Sequence, residues 1–211
     1  DFRNDQIQVF DADGEFVRRF PDPQAPVGKG SSGQEGAGIA VTDVAVHDGK
    51  VYATDAYQIF VFTTEGELVT QFGKPGDWIG DLDHPNGIDV GEDGTIFVSD
   101  SNHNRVIAFE EDGEVLWTAG EQVTELARQV ENVFGLPRGL AVLEDGTVLI
   151  VDAFEFELVR LSADGELVQR YGERGVEPAQ LNFPNSVSSS GDRVLVADKE
   201  NDRVQVLELV E

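Results

Sequence analysis

The chain has 211 residues, enough for one domain with a substantial core. It has no cysteine and no methionine, and 15 Lys+Arg stand against 41 Asp+Glu for a formal net charge of −26. These counts exclude disulfides, zinc–thiolate sites and cysteine nucleophiles, and they set the surface against phosphate backbones and anionic membranes, so neither nucleic-acid binding nor membrane insertion is expected.

In chain order, the apolar run Ile7 to Phe10 is followed by a tight turn at Gly14 and a second run, Phe16 to Phe20. Residues 21–38 are rich in Pro, Gly and Ser and read as a loop between units. Val44 to Val46, Val51 to Ala53, Ile59 to Phe62 and Leu68 to Gly73 then read as four short strands, with turns at Asp48-Gly49 and Gly66. The pattern returns as Ile88 to Val90, Ile96 to Val98, Val106 to Phe109 and Val115 to Gly120. Next, Val123, Leu126, Ala127 and Val130 fall at helical spacing, with Thr124 as a cap and Gly135 and Pro137 as stops. This predicts a short inserted helix near 124–134. A third set follows: Leu140 to Val142, Val148 to Val151, Leu158 to Leu161 and Leu167 to Gly172. The last comprises Val187 to Ser189, Val194 to Val196 and Val204 to Leu207. Asp-Gly between apolar runs is a hairpin signal, because glycine supplies the positive φ of the turn.

The units are marked by lead aspartates at Asp1, Asp55, Asp100, Asp152 and Asp198, each standing before a strand. A period near 50 residues means an array of similar units, and four antiparallel strands per unit describe the blades of an all-β propeller.

Residues 85–120 carry Pro85-Asn86-Gly87-Ile88, Asp93-Gly94-Thr95-Ile96, Asp100, Asn104-Arg105-Val106, Phe109 and Asp112-Gly113-Glu114. This order resembles the NHL repeat, and the likeness extends over nearly the whole chain. It departs at Tyr57 to Phe60 and Phe154 to Leu158, where the Asn-Arg pair is missing, and at 187–190, where serines replace alternating apolar residues. The resemblance implies a β-propeller, commonly six-bladed, and implies no particular chemistry.

The runs amount to about 17 strands, or about four and a quarter blades of four. Residues 1–211 are therefore expected to be a single propeller domain, incomplete at the N-terminus and open at both ends. Three completions stand open: a longer chain, a five-bladed ring closed by an irregular segment, or a neighbouring subunit pairing with free strand edges.

Several residues invite a chemical reading. Asp55, Asp100, Asp152 and Asp198 look like an acid array, but each belongs to its own unit, where it can accept turn N–H groups as part of the repeat scaffold. Asp11-Ala12-Asp13-Gly14-Glu15 resembles the start of a calcium loop but sits in a hairpin that recurs at Ala163 to Glu166. His47, His84 and His103 occupy different places in their repeats, and one loop, Asp81 to His84, makes a poor metal shell. No phosphate-binding loop or nucleophile elbow exists. If the repeats align, Thr42, Asn86, Arg138 and Asn185 stand together at the channel mouth, where Arg138 is a lone cation suited to a carboxylate.

The expectation is a non-enzymatic, extracellular or periplasmic propeller acting as a protein-binding or assembly scaffold. It would have no cofactor and no metal, and its partner would be a protein or a neighbouring subunit completing the open blades. The alternative is a propeller enzyme resembling the lyases and lactonases that hold a ligand or metal at the channel mouth.

Overall fold

The computed structural model describes residues 1–21, 39–120 and 134–208. The helix expected near 124–134 therefore lies outside the described residues except for Phe134, which is buried and non-helical, and the 21–38 loop does so except for Pro21.

Seventeen strands form among the described residues, all paired antiparallel within five sheets. The first sheet joins β1 (Ile7–Phe10) and β2 (Phe16–Phe20). Three four-stranded sheets follow: β3 (Asp43–His47), β4 (Lys50–Thr54), β5 (Ile59–Thr63) and β6 (Leu68–Phe72); β7 (Pro85–Val90), β8 (Ile96–Asp100), β9 (Arg105–Phe109) and β10 (Val115–Gly120); β11 (Pro137–Val142), β12 (Val148–Asp152), β13 (Glu157–Leu161) and β14 (Leu167–Tyr171). The last sheet holds β15 (Pro184–Ser190), β16 (Arg193–Asp198) and β17 (Arg203–Glu208). Within each sheet the strands lie in chain order, and β3, β7, β11 and β15 stand beside one another as the inner strands of a propeller.

The blades form because β-branched and aromatic runs are cut at regular intervals by turns that only short residues accept. Both faces of a blade are covered by neighbours, so β5, β8 and β12 are buried along almost their whole length rather than in alternation. The serine-rich β15 still forms a seven-residue strand, because one buried apolar position, Val187, suffices to seat it against Val194 and Val196.

The core is four inter-blade layers rather than one centre. Ile7, Phe20, Phe60 and Phe62 join the first two sheets, and Ile59, Ile88, Val98 and Phe109 join the second and third. Val106, Phe134, Leu140 and Ile150 join the third and fourth, and Leu149, Leu158, Val187 and Val196 join the last pair.

The outer edges are interlocked by one repeated device. Phe20 lies over Gly66 of the next blade, Phe72 over Gly113, and Trp117 over Gly165. A Cβ at Gly165 would stand 2.6 Å from the Trp117 ring, so the glycine is required for the ring to seat. Trp117 also donates its indole N–H to the Ala163 carbonyl at 2.8 Å. In β10 the residue equivalent to Phe72 is Ala119, and Trp117, two residues earlier on the same face, takes over.

The last sheet and the inner strand β3 present apolar side chains without a neighbour among the described residues. Leu195, Val204 and Val206 are exposed on the last sheet, as are Val44 and Val46 on β3, beside which the first sheet has no inner strand.

Candidate mouth of the propeller channel

The end of the ring where the inner strands begin collects the loops after the lead aspartates. There β8 and β16 are each followed by one 3-10 turn, Ser101–His103 and Lys199–Asn201. Each turn closes on a residue in the left-handed region, Asn104 at φ 51° and Asp202 at φ 51°, a conformation that Asn and Asp tolerate best among non-glycine residues. A matching turn, Phe2–Asn4, follows Asp1 and closes on Asp5.

The lead aspartates are fully buried at Asp55, Asp100, Asp152 and Asp198. Asp100 accepts the Asp83 N–H at 2.8 Å on one oxygen and, on the other, Arg105 Nε at 2.9 Å and the His103 ring at 2.7 Å. The Arg105 guanidinium continues to the carbonyls of Asp81 and Trp78, so it ties the loop before the blade to the blade itself. Asp198 repeats the arrangement with the Asn182 N–H, Asn201 and Arg203. Arg203 in turn reaches the carbonyls of Val176, Glu177 and Gln180. Burial pushes the Asp198 carboxyl up, but the hydrogen bonds from Asn182, Asn201 and Arg203 outweigh it and hold the group below the usual carboxylate range.

The other two units lack the arginine. Register places Gln58 and Glu157 where Arg105 stands, opposite the lead aspartates. Asp55 accepts the N–H groups of Tyr57 and Gln58, and Asp152 those of Gly135 and Leu136 at 2.7 and 2.9 Å. Burial raises the Glu157 carboxyl, against the Arg170 guanidinium that pairs with it.

The four mouth positions have different fates. The Thr42 hydroxyl meets Thr54 Oγ1 at 2.9 Å and the Pro85 carbonyl at 2.7 Å, which ties β3 to β7. Asn86 donates to the His84 carbonyl and to Ser101 Oγ, both at 2.9 Å. Arg138 touches Asn86 Oδ1 through Nη2 at 3.5 Å, and its Nε is buried with no hydrogen-bond partner. Burial, with nothing opposing it, lowers the Arg138 guanidinium from its ordinary value. Asn185 is half-buried. The structure thus joins Asn86 to Arg138 and spends Thr42 on a strand-to-strand tie.

Two features were not evident from the sequence. Asp43 occupies the register position that is Gly87 in the next blade, and its Oδ2 accepts the Ile88 N–H at 3.0 Å. Asp89 does likewise for Val142 at 2.8 Å. Burial, reinforced by Asp89, raises the Asp43 carboxyl to about 6 against the two backbone hydrogen bonds it accepts. The second feature is the rim. Tyr57 packs edge-on against His84 with centroids 5.5 Å apart, and Phe154 against Phe183 at 5.4 Å. Tyr57 and Phe154 each lie two residues past a lead aspartate, and His84 and Phe183 each precede an inner-strand proline, so the repeat spacing held the signal. Lys199 Nζ sits 5.6 Å from the Phe183 ring. Among the described residues no group of three His, Asp or Glu side chains is arranged to hold a metal ion.

Four-stranded antiparallel blades side by side around inner strands, latched by buried aspartates, define a β-propeller of repeated units. The family model for the NHL repeat matches residues 82–109 and 181–207, the two repeats that carry the complete Asp–Arg latch. The chain belongs to the NHL-repeat β-propeller family. It is 30% identical over 166 residues to NHL repeat-containing protein 3 of Homo sapiens, covering 72% of this chain and 45% of that protein. It is 29% identical over 121 residues to the E3 ubiquitin-protein ligase NHLRC1 of Rattus norvegicus, covering 57% of this chain and 26% of the relative. The chain thus spans less than half the length of these curated relatives. In fold it is similar to virginiamycin B lyase from Staphylococcus aureus, with a TM-score of 0.66, 17% identity, and coverage of 99% of this chain and 61% of that one. At that identity the likeness is one of fold alone.

Proposed function

We propose that this chain is a non-enzymatic protein-binding scaffold whose working surface is the end of the ring bearing Asn86, Arg138 and the Tyr57–His84 and Phe154–Phe183 pairs. The observation that carries the reading is the rim itself. Aromatic pairs bridge successive blades there, Phe154 is half exposed, and the polar groups between them are amides and a guanidinium, which orient a partner and bind metals poorly. The curated relatives, an NHL repeat-containing protein and a ubiquitin ligase, support a scaffold role for the repeat without specifying what this chain engages. The apolar end faces at Val44 and Val46, and at Leu195, Val204 and Val206, are where a neighbouring subunit or further propeller strands would pack. We place the scaffold outside the cell or in the periplasm.

Affinity capture with the full-length protein, compared with its Phe154→Ala/Phe183→Ala variant, tests the surface. The expected result is a set of proteins held by the first and lost from the second; equal capture by both would sink the assignment. Tagged full-length protein should be accessible to protease on intact cells or released with the periplasm. Elemental analysis of the purified protein should find no stoichiometric metal; finding one would favour the enzyme alternative.

A further inference from the structure

Arg138 is the sole Lys or Arg on the four inner strands. The chain carries 41 carboxylate side chains, and Arg105, Arg160, Arg170 and Arg203 each hold one. Among the described residues Arg138 holds none: its guanidinium has one long contact with Asn86 Oδ1 at 3.5 Å, and its Nε is buried without a partner. An arginine partly withdrawn from water with no counter-charge is destabilising where it stands, and burial accordingly lowers its pKa with no compensating influence. The packing of the chain does not explain its presence. A methionine or leucine would fill the same space without that penalty.

We infer that the Arg138 guanidinium is the seat for a carboxylate presented by a protein partner, with the Phe154–Phe183 pair at the same rim receiving an apolar group next to that carboxylate. This rests on the scaffold reading given above and names the chemistry its surface recognises.

The site fits a single carboxylate for three reasons. The guanidinium is planar, always charged and matched to two carboxylate oxygens, whereas the partner oxygen it now has, an amide, is neutral and at the limit of hydrogen-bond distance. Asn86 is fixed by its bonds to the His84 carbonyl and Ser101 Oγ, so it borders the seat as a positioned polar group rather than a competing charge. The surrounding field is strongly negative, at −26 for the chain. A phosphate dianion or an acidic cluster would meet far more repulsion than one carboxylate beside an apolar group. The same field favours a partner whose remaining surface is basic. Farther along the inner strands, Asp43 and Asp89 are committed to backbone N–H groups, which keeps an anion at the mouth.

The test uses full-length protein and three small probes followed by NMR or calorimetry. They are N-acetylphenylalanine, with a chain-end carboxylate; N-acetylaspartate amide, with a side-chain carboxylate; and N-acetylphenylalanine amide, with none. At least one carboxylate probe should bind saturably at one site with a Kd on the order of 1 mM, and whichever binds tighter identifies the source as a chain end or an acidic side chain. The uncharged amide should bind at least about tenfold more weakly. Arg138→Met should abolish carboxylate binding while leaving the thermal midpoint unchanged or higher, and Arg138→Lys should bind with intermediate affinity, because a point charge lacks the planar fork. Equal binding by wild type and Arg138→Met, no binding by either carboxylate, or a marked loss of stability in Arg138→Met would each overturn the inference. Protein capture that survives Arg138→Met but fails in the Phe154→Ala/Phe183→Ala variant would leave the scaffold reading standing and remove this one.

Discussion

Arg105 and Arg138 belong to neighbouring blades and lie toward the same end of the ring, yet their surroundings differ in kind. Arg105 is 1% exposed, paired with a fully buried aspartate and spread over two backbone carbonyls. Arg138 is half-buried with an orphaned Nε and one weak amide contact. A charge the fold uses is surrounded by groups that satisfy it. A charge the fold does not use is left with desolvation and nothing against it. The contrast separates a latch from a seat more reliably than residue type or position in the repeat.

The strongest way to break this comparison is to remove the latch. Arg105→Ala leaves Asp100 buried with only the Asp83 N–H and the His103 ring as partners and should cost about 3–5 kcal/mol in urea unfolding. A loss below about 1 kcal/mol would show that the pair is not structural. The next largest effect concerns Asp43. Its folded pKa of about 6 lies above the ordinary 3.8, so its protonated form favours the folded state. That contribution is full below pH 4 and is lost as pH rises through about 6, amounting to at most about 3 kcal/mol. Asp43→Asn keeps an oxygen for the Ile88 N–H, so it should flatten stability between pH 4 and pH 7 and raise the midpoint at pH 7; an unchanged pH profile would refute the assignment. Arg203→Ala should cost less than Arg105→Ala, about 1 kcal/mol, because Arg203 is 29% exposed and water screens its pair with Asp198. The smallest change is expected from Arg138→Met, within about 0.5 kcal/mol of wild type.

Much of this was legible in the sequence because the controlling physics is local. Turn glycines, the lead aspartates and short β-branched runs fix strands and hairpins within a few residues, and the seventeen strands fall where those signals put them. The Asn104–Arg105 dipeptide is likewise a local device: one residue closes the turn and the next reaches back to Asp100. What could not be read depends on contacts 40 to 50 residues apart, such as Thr42 with Pro85, Asp43 with Ile88, and Trp117 with Gly165. The mouth alignment of Thr42, Asn86, Arg138 and Asn185 followed from the repeat, but only the distances show that the Thr42 hydroxyl is already occupied. The aromatic rim was missed because Tyr57, His84, Phe154 and Phe183 belong to different blades, and its signal lies in their equivalent offsets rather than in any one segment.

The aromatic-over-glycine interlocks tie the first four sheets to one another in succession, beside the apolar layers between them. Energetically the described sheets are expected to behave as coupled units, each stabilised by the neighbours it packs against. Amide hydrogen exchange should therefore be graded across each sheet. It should be slowest in β8 and β9, which are buried throughout between two neighbours, and faster in the exposed outer strands β6 and β14. Gly165→Ala, by forcing Trp117 out of its seat, should speed exchange first at that one seam, in β10 and in the β13–β14 hairpin that Trp117 covers.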